Sequence, residues 1–109
     1  MRRGDLVTVA APGDYGKPRP AVIIQGDPLN QAEPRGTIVA LMTGAVRDAP
    51  LLRLTVEPTP ENGLGLTSQV QINRILTLPV TKVGPVIGRL TDQQQVELNR
   101  LLALVIGLA

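Results

Sequence analysis

Short runs of apolar, β-branched residues, divided by glycine- and proline-rich breaks, occupy most of the chain. Asp5–Ala10 alternates loosely through Leu6, Val7, Thr8 and Val9 and predicts a first strand. Ala11–Pro18 mixes Pro, Gly and charge and predicts a loop. Arg19–Gln25 predicts a second strand, and its consecutive Ala21, Val22, Ile23 and Ile24 fit a strand buried on both faces. Gly26–Gly36 is polar, carries two prolines and predicts an 11-residue loop, a length that often marks function or mobility. Thr37–Thr43 predicts a third strand and Gly44–Pro50 a turn. Leu51–Val56 alternates and predicts a fourth strand, and Glu57–Leu66 a turn-rich connection. Ser68–Ile75 predicts a fifth, with Val70 and Ile72 on one face and Gln69, Gln71 and Asn73 on the other; Ile75–Leu78 either continues it or forms a short helical turn.

The last element is helical. Thr91 and Gln94 have the spacing of a capping box; Leu98, Leu101, Leu102 and Val105 follow at helical period, and Gly107 suits the C-terminal cap. Leu104, Ile106 and Leu108 widen the apolar stripe, part of which is available for a second subunit. About five strands and one terminal helix predict a mainly β (α+β) fold: a small, curved antiparallel sheet or barrel with a C-terminal helix.

Composition narrows the chemistry. At 109 residues and 43% apolar content, residues 1–109 fit one domain with a modest core and not a disordered chain. No run approaches the roughly 18 apolar residues of a membrane span, and MRRGD leads into a strand without a signal-peptide core, so a cytoplasmic protein without a membrane contact is expected. Cysteine and histidine are both absent, which removes disulfides, thiolate nucleophiles, the commonest metal ligands and the usual general base. No metal site and no cofactor are expected. Nine of the 11 basic residues are arginine, the side chain suited to bidentate phosphate contacts, although a GC-rich genome produces the same bias. Tyr15 is the single aromatic, so a base-stacking sheet platform is excluded.

Gly13–Gln25, GDYGKPRPAVIIQ, is the most informative stretch. Arg19 stands between Pro18 and Pro20, so stiff backbone presents its guanidinium at a loop–strand junction. Such an arginine suits an anion, and equally reads as a surface residue beside a turn.

The order RRGDLVTVA, Gly-containing loop, KPRPAVIIQ, TIVALMTG, SQVQINRILTL, KVGPVIGRL and C-terminal helix resembles the MazF/PemK family of toxin–antitoxin ribonucleases over nearly the whole chain. The Gly4–Asp5 start and the Arg19–Pro20 junction are its most specific pieces. The resemblance implies an SH3-like barrel of the type shared with CcdB, a homodimer, metal-independent and sequence-selective cleavage of single-stranded RNA, and silencing by a cognate antitoxin. It also implies attack of a ribose 2′-hydroxyl on the adjacent phosphate.

Residue by residue, Arg19 matches the motif arginine and takes phosphate binding and transition-state stabilisation. Thr43 matches the threonine closing the central strand, with its hydroxyl for a phosphate oxygen or the 2′-hydroxyl. Asp14 is the carboxylate offered as base, and is equally a turn residue with Gly13 and Gly16. Tyr15 stacks on a base or covers the loop, and Lys17 meets backbone phosphate. The fifth strand departs from the family: some members place an arginine and an aspartate two apart, where this chain has Gln71 and Asn73, followed by Arg74. Asparagine is no general base, which leaves Asp14, or Arg19 and Thr43 with little base assistance, or weak activity. Gln71 and Asn73 read either as base-reading amides or as a solvated strand face. Asp5 reads as structural, bonding the start of the chain or pairing with Arg2 or Arg3. Two other functions stay open: a CcdB-like gyrase inhibitor, disfavoured by the purely aliphatic terminal helix, and a catalytically silent antitoxin-binding homologue, suggested by Asn73.

Overall fold

The computed structural model describes residues 1–33 and 35–109. Six antiparallel strands form one sheet: β1 (Asp5–Val9), β2 (Arg19–Ile23), β3 (Gly36–Thr43), β4 (Arg53–Val56), β5 (Ser68–Pro79) and β6 (Val83–Arg89), in the order β4-β5-β3-β2-β1-β6. A six-residue helix α1 (Asp27–Ala32) joins β2 to β3, and α2 (Asp92–Val105) ends the fold.

The register divides the apolar residues between two faces. Leu6 lies opposite Val22 and Val22 opposite Ala40, while Val7 lies opposite Ala21 and Ala21 opposite Leu41. The first row joins Met42, Val56, Val70, Ile72 and the α2 residues Leu98 and Leu101 in one core. The second joins Val9, Ile23, Val39 and Leu78, with Val83 packed beside them. β5 passes through a single 3₁₀ turn, Val80–Lys82, directly into β6, which pairs with β1. The sheet therefore curls until the C-terminal end of β5 meets the edge strand β6 through the chain and not through a ladder, and Leu78 and Val83 share the second core there. Barrel-like curvature is present in an open sheet. Ala21–Ile23 is buried on both faces, as the apolar run predicts.

β5 is one strand with a sharp irregularity. Its start pairs with β4 and with Met42 and Thr43, and its end pairs with Gly36–Ala40; between Met42–Val70 and Ala40–Ile75 the register slips. The strand continues beyond Ile75 to Pro79.

Two expectations are corrected. The segment Gly26–Gly36 is not simply a loop: Asp27–Ala32 forms α1, with a proline in the first turn and Glu33 at its C-cap. A sixth strand, Val83–Arg89, lies where Gly84, Pro85 and Gly88 obscure a strand pattern; it tolerates Pro85 because it is an edge strand with register shifts. Strand limits also tighten, with Asp5–Ala10, Arg19–Gln25 and Leu51–Val56 observed as Asp5–Val9, Arg19–Ile23 and Arg53–Val56.

The expected capping box forms: Gln94 N–H donates to Thr91 Oγ1 at 3.0 Å, and Thr91 N–H to Gln94 Oε1 at 2.9 Å. At the other end Gly107 is left-handed, Leu108 N–H reaches Ala103 O and Gly107 N–H reaches Leu104 O, a Schellman stop. Leu98 and Leu101 are buried and Leu102 and Val105 pack beside them, whereas Val96, Leu104, Ile106 and Leu108 are exposed. No helix among the described residues is long and apolar enough to cross a membrane.

Candidate active site

The start of β2 lies at one end of the curl. Arg19 is opposite Val9 of β1, and on the other side Ala21 is opposite Leu41, so the same register continued two residues sets Thr43 across from Arg19. Thr43 in turn pairs with Gln69, and Gln69 with Thr55. Because side chains alternate along strands, Arg19, Thr43, Gln69 and Gln71 leave the sheet on the face that carries the second core.

The loop before β2 folds back on this face. Asp14 N–H bonds Ala11 O, and Lys17 N–H bonds Asp14 O. Gly13 and Gly16 have positive φ, and so does Tyr15 at 54°, the one non-glycine residue of this kind among the described residues. This turn delivers the Asp14 carboxylate to Arg19, with Oδ2 2.9 Å from Nε. Oδ2 is shielded from solvent yet receives no hydrogen bond, so the pair is one of charge proximity, with the N–H vector aimed elsewhere. Arg19 Nη1 donates to Gln71 Oε1 at the long distance of 3.5 Å. Asp14, Lys17, Pro18 and Arg19 line an open cavity of about 290 Å³.

The other expected residues divide. Asp14 is at once a turn residue and the partner of Arg19, so its two readings are not exclusive. Lys17 is exposed at the cavity rim. Thr43 Oγ1 accepts from Ala45 N–H at 3.1 Å, which leaves the hydroxyl proton free to donate. Gln71 is buried and touches Arg19, which corrects the solvated-face reading at that position; Gln69 beside it is buried too. Asn73 and Arg74 are exposed at the bend of β5 and are not drawn to the Arg19 cavity. Tyr15 is fully exposed, so it does not cover the loop. Asp5 is structural as expected: it accepts from Arg2 N–H at 2.7 Å, but its ion-pair partner is Arg89 at 2.8 Å, not Arg2 or Arg3.

Sequence reasoning missed Gln69 and Arg53 as neighbours of the site. Arg53 lies opposite Gln71 and donates to Gln69 Oε1 at 3.1 Å. The alternation of Leu52, Arg53, Leu54 and Thr55 was the available signal, but it locates Arg53 only once β4 is known to pair with β5. Among the described residues no group of three or more acidic side chains is placed to hold a metal ion.

Chemically, the arrangement sets a fixed cation and a carboxylate on one open cavity, with the Thr43 hydroxyl at the strand position across from Arg19. A guanidinium stays charged and fits two phosphate oxygens, the carboxylate takes a proton, and the hydroxyl donates a hydrogen bond.

A curated relative from Mycolicibacterium smegmatis (strain ATCC 700084 / mc(2)155), named "Probable endoribonuclease MazF", is 43% identical over 110 residues, covering 100% of this chain and 99% of the relative. Among solved structures, a mycobacterial endoribonuclease in complex with its cognate antitoxin superposes with a TM-score of 0.83 at 22% identity, over 100% of this chain and 97% of that one. The Mycobacterium tuberculosis toxin MazF-mt6 gives 0.81 at 24% identity, over 96% and 98%. At those identities the two structures speak for the fold alone. Residues 2–106 match the family described as "PemK-like, MazF-like toxin of type II toxin-antitoxin system", and the chain belongs to that family.

Proposed function

We propose that residues 1–109 form a single toxin domain, an endoribonuclease that cleaves single-stranded RNA and so stops translation until a cognate antitoxin covers it. The observation that carries this reading is Arg19: in a chain of this family, its guanidinium faces an open cavity beside a carboxylate that approaches without hydrogen-bonding Nε.

The scissile phosphate sits against Arg19 and Thr43. The 2′-hydroxyl gives its proton to Asp14 and its oxygen attacks phosphorus. The P–O5′ bond breaks, leaving a 2′,3′-cyclic phosphate, and the departing oxygen takes a proton from solvent water in the open cavity to become a 5′-hydroxyl. Charge builds on the non-bridging oxygens, and Arg19 neutralises it from a position that needs no reorganisation. Gln71 holds Arg19 from below, while Lys17, Tyr15, Asn73 and Arg74 contact flanking nucleotides. No step calls for a metal or cofactor.

The toxin works in the cytoplasm as a homodimer, which accounts for apolar side chains left exposed at the end of α2. The antitoxin is an acidic, partly disordered segment lying over the Ala11–Lys17 loop, matched to a chain of net charge +2. Incubation with mixed single-stranded RNA in EDTA tests the reading. Cleavage abolished by Arg19→Ala supports it. Intact RNA together with gyrase inhibition selects a CcdB-like activity, and intact RNA with antitoxin binding alone selects a silent homologue.

A further inference from the structure

Arg47, Arg53 and Arg74 stand outside the cavity of Arg19, and none makes an ion pair among the described residues. Arg53 is half-buried on β4, and its Nη1 donates to Ala45 O at 3.2 Å and to Gln69 Oε1 at 3.1 Å. Gln69 is buried and also ties down the β3–β4 turn: its Oε1 accepts from Arg47 N–H at 3.2 Å, its Nε2 donates to Arg47 O at 3.0 Å, and Nε2 also reaches Thr55 Oγ1. One buried amide thus fixes the backbone of one arginine and the guanidinium of another. The arrangement meets the Arg19 site through Gln71, which accepts from Arg19 Nη1 and lies opposite Arg53 in the β4–β5 ladder.

Like charges gathered without an acid repel one another, and a fold that fixes them so is pre-formed for an anion. Burial, then Arg47 and Arg74, lower the Arg53 pKa from its ordinary value, the direction expected of cations held together without compensation. Asp48, the nearest acid in sequence, pairs with none of them among the described residues.

We propose that Arg47 and Arg53, organised by Gln69 and assisted by Arg74, form a second phosphate-binding subsite that holds the RNA backbone beside the phosphate gripped by Arg19. The inference rests on the ribonuclease reading and assigns a ligand class to residues outside its catalytic group. RNA suits the place because a continuous strand meeting Arg19 carries further phosphates past Gln71, and arginine forks bind them without regard to base. The subsite sets affinity and position and takes no part in the chemistry.

The test measures binding of a random-sequence single-stranded DNA oligonucleotide, which lacks the 2′-hydroxyl and is not cut, across a salt series. Each cation lost from a single-strand contact lowers the slope of log K against log[salt] by about 0.7. Arg47→Gln with Arg74→Gln is therefore expected to lower the slope by about 1.4, with KM for RNA rising about tenfold and kcat held within about twofold. Arg100→Gln, an exposed arginine of α2, leaves the slope unchanged and controls for net charge. Both exposed substitutions keep every hydrogen bond of Gln69, and circular dichroism confirms the fold. An unchanged slope in the double variant, with Arg19→Ala still lowering it, overturns the subsite and leaves the ribonuclease intact. Wild type that neither binds the oligonucleotide nor cuts RNA overturns both. Normal nucleic-acid binding with lost affinity for an acidic antitoxin peptide assigns the cluster to a protein partner and overturns it as well.

Discussion

Arg19 Nε and Asp14 Oδ2 are 2.9 Å apart, yet no hydrogen bond joins them. The carboxylate holds the guanidinium in place by charge while leaving its N–H groups to other acceptors. A fully forked pair would occupy those donors and compete with phosphate.

Replacement of Arg19 by Ala is expected to lower kcat by about 10²- to 10³-fold, the scale of losing one pre-formed oxyanion contact. The fold is expected to survive, because Arg19 belongs to neither apolar core and its half-buried pair lies beside an open cavity. Single-turnover cleavage and a thermal melt on the same preparation check both halves.

Asp14→Asn separates base from turn. Asparagine suits the turn but cannot take the 2′-hydroxyl proton. A fall in kcat of about 10²-fold with an unchanged melting temperature is expected. A fall under about threefold would confine Asp14 to shaping the loop.

Gly63→Ala tests the packing beneath β6. Gly63 has φ +70°, and a methyl group there would lie 2.1 Å from Ile87 O. Strain and overlap together are expected to cost about 3 kcal/mol or more and to lower the melting temperature by at least about 10 °C. Gly65→Ala, where a Cβ meets open space, is the matched control.

Asp27 gives a pH dependence. Its carboxylate accepts from Arg3 N–H at 2.7 Å, and that bond, ahead of the opposing effect of burial, lowers its pKa from 3.8. A depressed carboxyl contributes stability that is present above the unfolded value and lost as pH falls through the folded one. Asp27→Asn is therefore expected to melt earlier than wild type at neutral pH, with the gap closing below about pH 3.8. A gap that stays constant down to pH 2 would refute the linkage.

Much of the architecture was legible because apolar runs and breaks carry it: β1 to β3, the start of β5 and the capped α2 follow their signals closely. β6 escaped because Gly84, Pro85 and Gly88 erase the pattern, and an edge strand tolerates what a central one does not. α1 escaped because six residues with no side-chain cap give almost no period. In the site, Arg19 was visible from its flanking prolines. Gln71 was named with two readings, base-reading amide or wet face, and Gln69 was not named for the site at all, since alternating amides do not reveal their burial until strand pairing shows that arginines cover them. The pairing is long-range, and local sequence does not encode it.

β5 gives the recognition groove and the inner core one shared backbone, from Gln69 and Gln71 to Leu78. The register slip between Val70 and Ile75 divides that backbone, so the amide-bearing half follows β4 while Leu78 keeps its place in the core. Substitutions that reshape the RNA-facing end are therefore absorbed on one side of the bend without dismantling the packing on the other.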